Sequence, residues 1–200
     1  METGVITFIK KPDWVSWDEI QRCHVIGHER NIKKGLKMHC AELTAEELKD
    51  ELNGAICYVA LDGKRVVGTT SLKILDVRKL WFKKRIGIMM MEAILPEYIG
   101  SDVFFGLQDI RMKDAVENNV EILYFGTAEA NKVVRKVQSK LGFKQILFRS
   151  FPDTTYYSVM MAKWIKGKPL PDWLIKTLFY LSEKYVKFRY KPGKIKRFGI

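Results

Sequence analysis

The hydrophobic pattern of residues 85–118 predicts a strand followed by a helix. Residues 85–95, RIGIMMMEAIL, are apolar at most positions, as in a strand that is covered on both faces. Pro96 ends this strand, because proline has no N–H to donate to a sheet. After the turn EYIGSD, apolar side chains recur at helical spacing over residues 103–118, at Val103, Phe104, Leu107 and Ile110.

A second strand, a helix and a third strand follow, and extend the pattern to residue 148. The segments VEILYFG (120–126) and FKQILF (143–148) are short and apolar, which predicts strands. The residues between them predict a helix that Thr127 caps and Gly142 ends. Its apolar stripe consists of Val133, Val134, Val137 and Leu141.

The flanking residues add further strands and helices. GVITFI (4–9) and YYSVMMA (156–162) predict a first and a last strand, and VRKLWFKK (77–84) a loop or the end of a hairpin. Asp62-Gly63 predicts the turn of a hairpin between AICYVAL and RVVGTTSLKIL. Two helices are expected before that hairpin, because SWDE and TAEE fit capping boxes, Ser16 with Glu19 and Thr44 with Glu47.

Charge divides the chain into two parts. The net charge is +12, yet residues 163–200 hold 11 Lys or Arg and 2 Asp or Glu, and residues 1–162 account for only +3. We therefore predict one domain over 1–162 and a basic extension over 163–200, made of a linker, a helix capped by Asp172, and a tail. The tail, with aromatic residues between its lysines and arginines, can bind nucleic acid or another anionic surface. The alternatives are a solvated surface or a homodimer contact made by Leu174, Leu178, Phe179 and Leu181.

Cysteine use and the absence of apolar segments long enough to span a membrane favour a cytoplasmic protein. Cys23, Cys40 and Cys57 are odd in number and form no C-x-x-C pair, and the first residues lack the features of a secretion signal. His24 and His28 share one face of the first helix. Because no third ligand stands at a suitable spacing, we expect no metal, and interpret them as packing or surface histidines or as part of an acceptor pocket.

The segments ILPEYIG and NKVVRKVQSKLGF, with the helix that opens between them, resemble the GNAT acyltransferases over roughly residues 44–162. The resemblance implies an α/β fold with a mixed, mostly antiparallel central sheet flanked by helices. It also implies transfer of an acetyl group from acetyl-CoA, as co-substrate, to an amine on a small molecule or a peptide. The alternative is a degenerate relative that binds a ligand or partner without turnover.

The resemblance places the donor site at the turn after residue 95, where a helix N-terminus offers unpaired amides to a pyrophosphate. The pantetheine arm would add like an extra strand beside residues 94–95, so the strand over 85–95 and the LYFG strand would have to separate. Asp102 would repel the phosphates unless it turns away to cap the helix, and Phe104 would crowd them. A helix that merely packs is the alternative. The expected cofactor-binding residues are Ile94, Leu95, Ile99, Gly100, Ser101, Asp102, Val103, Phe104 and Asn131.

Glu92 is the candidate catalytic residue. As a carboxylate in an apolar strand it would have a raised pKa unless paired, which suits a general base that deprotonates an attacking ammonium through water. The alternative is a structural ion pair with a Lys or Arg on a neighbouring strand. Gln138 stands where the family often has a tyrosine general acid, which leaves the hydroxyls of Tyr124, Tyr156 and Tyr157. Asn131 either contacts the pantetheine arm or serves as a polar residue at the helix start.

Overall fold

The elements in chain order are those of a mixed α/β protein. The computed structural model describes residues 5–79, 82–151, 156–167 and 170–190. They form β1 (Ile6–Lys10), α1 (Trp17–Lys33), α2 (His39–Glu42), α3 (Ala45–Glu51), β2 (Ala55–Asp62), β3 (Arg65–Lys79), β4 (Phe82–Ile94), a 3₁₀ turn (Pro96–Tyr98), α4 (Val103–Glu117), β5 (Ile122–Ala128), α5 (Lys132–Lys140), β6 (Lys144–Ser150), β7 (Tyr157–Trp164) and α6 (Asp172–Arg189). None of these helices is long and apolar enough to cross a membrane.

The central sheet has the predicted character. Its strand order within the described residues is β1-β2-β3-β4-β5-β7-β6. The pairings between neighbours are antiparallel except for β4 with β5, which is parallel. The helices flank the sheet, and the main apolar core is built from the strands together with side chains of α1, α3 and α4. The prediction of a mixed, mostly antiparallel sheet with flanking helices is therefore confirmed.

Local sequence signals located several element ends correctly. Both capping boxes form, Ser16 with Glu19 at α1 and Thr44 with Glu47 at α3. The β2–β3 hairpin turns at Asp62-Gly63, where Gly63 has a φ of +60°. Gly142 follows α5 with a φ of +89°, a conformation that glycine adopts without a Cβ clash. Each of these features depends on residues within a few positions of one another, so the local sequence was enough to predict it.

Two predicted element ends were wrong. Thr127 lies inside β5, where it pairs with Val159 of β7, and Asn131 caps α5 instead. Asp172 is the first residue of α6, and its carboxylate is paired with Lys144 rather than capping the helix. Of the two alternatives for residues 77–84, the end of a hairpin agrees with the structure, because β3 and β4 pair antiparallel as far as Lys79 and Phe82. Leu80, Trp81, Gly4 and the tail 191–200, on which other predictions fall, lie outside the described residues.

Helix α6 covers the outer edge of the sheet at β6. The ring of Phe179 packs edge-on against Phe148, with their centroids 6.1 Å apart. The amide of Phe148 donates to Oγ of Ser182 over 2.9 Å, so a side chain of the helix satisfies a main-chain group of the edge strand. The predicted division at residue 162 stays a prediction, although β7 runs on to Trp164.

The close approach of α4 to β1 gives a first testable expectation. A Cβ added to Gly106 would clash with the ring of Phe8. Gly106→Ala should lower the free energy of unfolding, because overpacking costs ~1–3 kcal/mol, against at most ~1 kcal/mol gained in helix propensity. Urea denaturation measures this change. The double variant Gly106→Ala/Phe8→Leu should be more stable than the sum of its single variants, and additivity would contradict the assigned clash.

Candidate functional site

A cleft opens where β4 and β5 separate. The two strands pair in parallel at only three described positions, ending with Ile88 and Tyr124. Beyond them β4 stays on β3, and a bulge sets two residues of β4, Met91 with a φ of +48° and Glu92, against the single residue Thr70. Bulges bend the strand that carries them and commonly lie next to active sites. The separation of these strands, which the resemblance required, is therefore observed.

The cleft contains a cavity of about 290 Å³. One wall comes from the C-terminal part of α1, from α2 and from the residues between them. The other comes from residues 89–92 of β4, residues 125–128 of β5, and α5. Of the predicted site residues, Glu92 and Asn131 line this cavity. The cavity is large enough for a thioester end and a small amine, whereas the nucleotide of a donor would have to lie outside it.

Glu92 is paired with a buried arginine. Its Oε2 accepts from Nη2 of Arg111 over 3.0 Å and from Nε2 of Gln108 over 3.4 Å. Arg111, on α4, has a side chain 1% exposed and also donates to Oγ1 of Thr70. Burial lowers the pKa of Arg111, and the charge of Glu92 opposes that shift. The pairing that sequence reasoning offered as the structural alternative is thus present, with its partner on a helix rather than on a neighbouring strand.

The bonds from Arg111 and Gln108 involve only one of the two carboxylate oxygens of Glu92. Within the described residues no hydrogen bond reaches Oε1 of Glu92, and the side chain is 27% exposed. Glu92 is therefore an oriented anion on the cavity wall with one oxygen able to accept a proton or a hydrogen bond. Both a catalytic and a structural role are compatible with this geometry.

Helix α5 supplies two amide side chains. Oδ1 of Asn131 accepts from the amide of Val134 over 3.3 Å, so this residue caps the helix as well as lining the cavity. Gln138 is 1% exposed, lines the cavity, and has an Oε1 without a hydrogen-bond partner among the described residues. Gln138 can therefore accept a hydrogen bond from a bound molecule, which sequence reasoning missed because it treated this position only as a lost acid.

The three candidate tyrosines occupy different places. Tyr156 lines the cavity, and burial raises the pKa of its hydroxyl. Tyr157 donates its hydroxyl to the carbonyl of Tyr190 over 2.8 Å, and Tyr124 lies at the closed end of the β4–β5 cleft. Among the three, Tyr156 is the one that lines the cavity.

The turn before α4 has features of an anion site and features that oppose one. Gly100 has a φ of +88°, and Oγ of Ser101 accepts from the amide of Val103 over 3.3 Å. Asp102 is exposed and its carboxylate makes no capping hydrogen bond, so it does not turn away in the expected manner. Ile99 is 61% exposed, and Phe104 packs edge-on against Phe105. Pyrophosphate binding by residues 99–104 stays a prediction.

The end of β4 presents one main-chain position to the cleft. Leu95 donates its amide to the carbonyl of Val67 over 2.9 Å, so this amide is already used by the neighbouring strand. Since alternate residues point their amides to opposite sides of a strand, the amide and carbonyl of Ile94 face away from β3. Gly27 of α1 lies close to them, since a Cβ there would be 2.9 Å from the carbonyl oxygen of Ile94.

A second cluster of polar side chains lies beside the cavity. One ring nitrogen of His24, one ring nitrogen of His28 and the sulfur of Cys40 lie within 4.8 Å of one another. His24 is fully buried, and neither its nitrogens nor those of His28 have a hydrogen-bond partner among the described residues. The sequence revealed the histidine pair but gave no sign that Cys40, on a different helix, would join it.

Comparison with solved structures identifies the fold. The structure matches an acetyltransferase of the GNAT family from Staphylococcus aureus Mu50 at a TM-score of 0.61 and 16% identity, covering 81% of this chain and 100% of that one. It matches FeeM, an N-acyl amino acid synthase from uncultured soil microbes, at a TM-score of 0.61 and 16% identity, covering 90% and 97%. It matches a chain of the NatC complex bound to Gag peptide and CoA at a TM-score of 0.61 and 13% identity, covering 80% and 99%. No family model and no curated protein matches the sequence. The chain therefore has the GNAT fold.

Proposed function

We propose that this GNAT-fold protein is an acyl-CoA-dependent N-acyltransferase that moves an acyl group, most simply the acetyl group of acetyl-CoA, to an amine. The observation that carries the proposal is the cleft between β4 and β5, which leads to a cavity with an oriented carboxylate on its wall. Solved proteins of the same fold include acetyltransferases, an acyl amino acid synthase and a complex that holds CoA and a peptide. The acceptor is accordingly an amine on a small molecule or a peptide.

The donor would enter along the end of β4. The pyrophosphate would meet the N-terminus of α4, where the amides of Phe104 and Phe105 point out of the first turn. The pantetheine would pair with the main chain of Ile94, whose amide and carbonyl face away from β3. Asn131 and Gln138 would bind its amides from α5, because both line the cavity. The acyl group would then lie beside Glu92.

The chemistry follows from this placement. The neutral amine attacks the thioester carbonyl, the new C–N bond forms, and the C–S bond breaks to release CoA thiolate. Before attack the ammonium must lose a proton, which passes through water to Oε1 of Glu92. The attacking nitrogen then gives its surplus proton to water, and the leaving thiolate takes a proton from water or from the hydroxyl of Tyr156, a residue that lines the cavity and is reprotonated from solvent. Positioning of the two reactants supplies the main part of the rate enhancement.

Calorimetry and a release assay test the proposal. Acetyl-CoA, CoA and longer acyl-CoAs are titrated into the protein, and release of free CoA thiol is then measured over a panel of amines and peptides. Micromolar binding together with amine-dependent thiol release is the expected result. Absence of binding by any of these donors at millimolar concentration would contradict the donor site. Comparing the affinities and rates of the donors also shows which acyl chain the protein prefers. The cavity wall contains Met38 and Met89–Met91, whose flexible side chains can repack around acyl chains of different length.

A second candidate function is ligand or partner binding without turnover. Gln138 cannot protonate a leaving thiolate, and Asp102 presents an exposed carboxylate at the turn that would hold pyrophosphate. Donor binding without thiol release for any amine in the panel would favour this candidate. The predicted homodimer, the nucleic-acid contact and the cytoplasmic location stay predictions. The basic tail lies outside the described residues, and Lys187, within them, is paired with Glu129 and Glu183.

Replacement of Asp102 tests the placement of the pyrophosphate. Asp102→Asn removes an exposed negative charge beside the phosphates, and should lower the KM for acetyl-CoA about 1.4- to fivefold, the effect of ~0.2–1 kcal/mol for an exposed charge pair. The gain should shrink as salt is added. Asp109→Asn, at an exposed carboxylate about two turns further along α4, is the matched control and should leave KM unchanged. Equal KM values for the wild type and Asp102→Asn at low salt would place the phosphates elsewhere.

A further inference from the structure

We propose that His24, His28 and Cys40 form a binding site for a divalent transition metal, zinc in the first instance, with its fourth coordination position open to the cavity. The two histidines stand four residues apart on one face of α1, and Cys40 is the second residue of α2. Their ligand atoms lie within 4.8 Å of one another. This proposal does not depend on the acyltransferase activity.

The hydrogen-bonding state of the histidines is the observation that points to a ligand. A neutral imidazole has one donor and one acceptor nitrogen, and a buried ring normally has a partner for each. His24 is fully buried, yet neither of its nitrogens has a partner among the described residues, and the same holds for both nitrogens of His28. The two unpaired nitrogens of the fully buried His24 ring are costly to bury without a bound cation.

Metal binding would change the protonation of one ligand. The thiolate is the form of cysteine that binds a metal, so binding would displace the thiol proton of Cys40, whereas each imidazole binds through the lone pair of a neutral ring.

The distances require a small contraction. In a tetrahedral zinc site with Zn–N bonds of about 2.0–2.1 Å and Zn–S bonds of about 2.3 Å, neighbouring ligand atoms stand roughly 3.3–3.8 Å apart. The two imidazole rings are now stacked, with centroids 5.9 Å apart and an interplanar angle of 17°. A common centre therefore requires the side chains of the three ligands to rotate about their χ angles.

The donor set and its surroundings select the metal and its open position. Two imidazoles and one thiolate are the ligands that zinc favours, and zinc sites with three protein ligands keep a fourth position for water or substrate. His28 and Cys40 line the cavity whereas His24 lies behind them, so the fourth position faces the cavity. The metal would join α1 to α2 and fix the wall opposite Glu92.

Metal content and spectroscopy of the full chain test the site. Protein purified under reducing conditions, stripped with a chelator and reloaded should hold about one zinc per chain, and zinc at a hundredfold excess over its Kd should raise Tm by roughly 5–10 °C. Cobalt(II) should give the intense visible bands of a tetrahedral site and a sulfur-to-cobalt charge-transfer band. Absence of cobalt bands and of any shift in Tm with zinc would overturn the proposal.

Single substitutions identify the ligands. Cys40→Ser should abolish the charge-transfer band and lower zinc affinity at least tenfold, whereas Cys57→Ser, at a half-buried cysteine outside the cluster, should change neither. His24→Leu should remove the dependence of Tm on zinc. If the cluster only packs, the Tm of the wild type should already be independent of zinc, and His24→Leu would change only the Tm measured without zinc. His39→Gln, at an exposed histidine paired with Glu51, is the histidine control.

Discussion

Glu92→Gln is expected to lower kcat about 10²-fold or more, the contribution of a positioned general base, while the KM for acetyl-CoA stays within a factor of about two. Glutamine keeps the shape of the side chain and can accept from Arg111, but it cannot take a proton from an ammonium. The rate should stay low at every pH, because the variant has no carboxylate at this position to accept the proton. Steady-state kinetics of CoA release over a range of pH measures both effects.

A purely structural role for Glu92 gives a different result. The variant would then lose stability because the buried charge of Arg111 has a weaker partner, and kcat per folded molecule would be unchanged at every pH. Glu97→Gln is the matched control, since Glu97 lies just beyond β4 and is paired with the exposed Arg65. Its kinetics should equal those of the wild type. An unchanged pH–rate profile in Glu92→Gln would remove Glu92 from the mechanism.

Arg111→Met is expected to lower the free energy of unfolding by about 3 kcal/mol, the lower end of the range for breaking a buried ion pair. The lower end applies because Glu92 keeps 27% exposure and can recover some hydration. For a chain of this size the corresponding fall in Tm is roughly 6–12 °C. Chemical denaturation and calorimetry measure the two quantities.

The companion variants separate the charge from the packing. Arg111→Met/Glu92→Leu removes both charges and should recover much of the stability, because the penalty comes from the carboxylate left without a partner. Lys113→Met, at an exposed position on the same helix, should change stability by less than ~0.5 kcal/mol. A stability of Arg111→Met equal to that of the wild type would show that the ion pair contributes nothing.

The sequence predicted the elements well where the signal was local. The capping boxes at Ser16 and Thr44, the Asp62-Gly63 turn and the glycine after α5 each involve residues within a few positions of one another. The start of α4 could likewise be placed from Pro96 and the periodicity that follows. Thr127 and Asp172 were misassigned because partners far along the chain, Val159 and Lys144, decide their structure.

The candidate site was predicted less completely than the fold. Glu92 could be chosen as an isolated carboxylate in an apolar strand, but its partner Arg111 lies 19 positions away on a helix with no local link to it. The unpaired Oε1 of Gln138 and the joining of Cys40 to the histidines result from packing between elements. Residue spacing describes a single helix or strand, so it could not reveal either of them.

The packing of α6 against β6 also bears on self-association of the protein through its sheet edge. Open sheet edges are the surfaces through which proteins add strands to one another and form fibrils. Segment 145–148 contains the apolar residues Ile146, Leu147 and Phe148, and such a segment can pair with a strand of another chain. The hydrogen bond from the amide of Phe148 to Oγ of Ser182 occupies one donor of this edge. A chain shortened before Asp172 would expose that edge and should aggregate more readily. The last helix is therefore expected to protect the protein from aggregation, whatever chemistry the cleft performs.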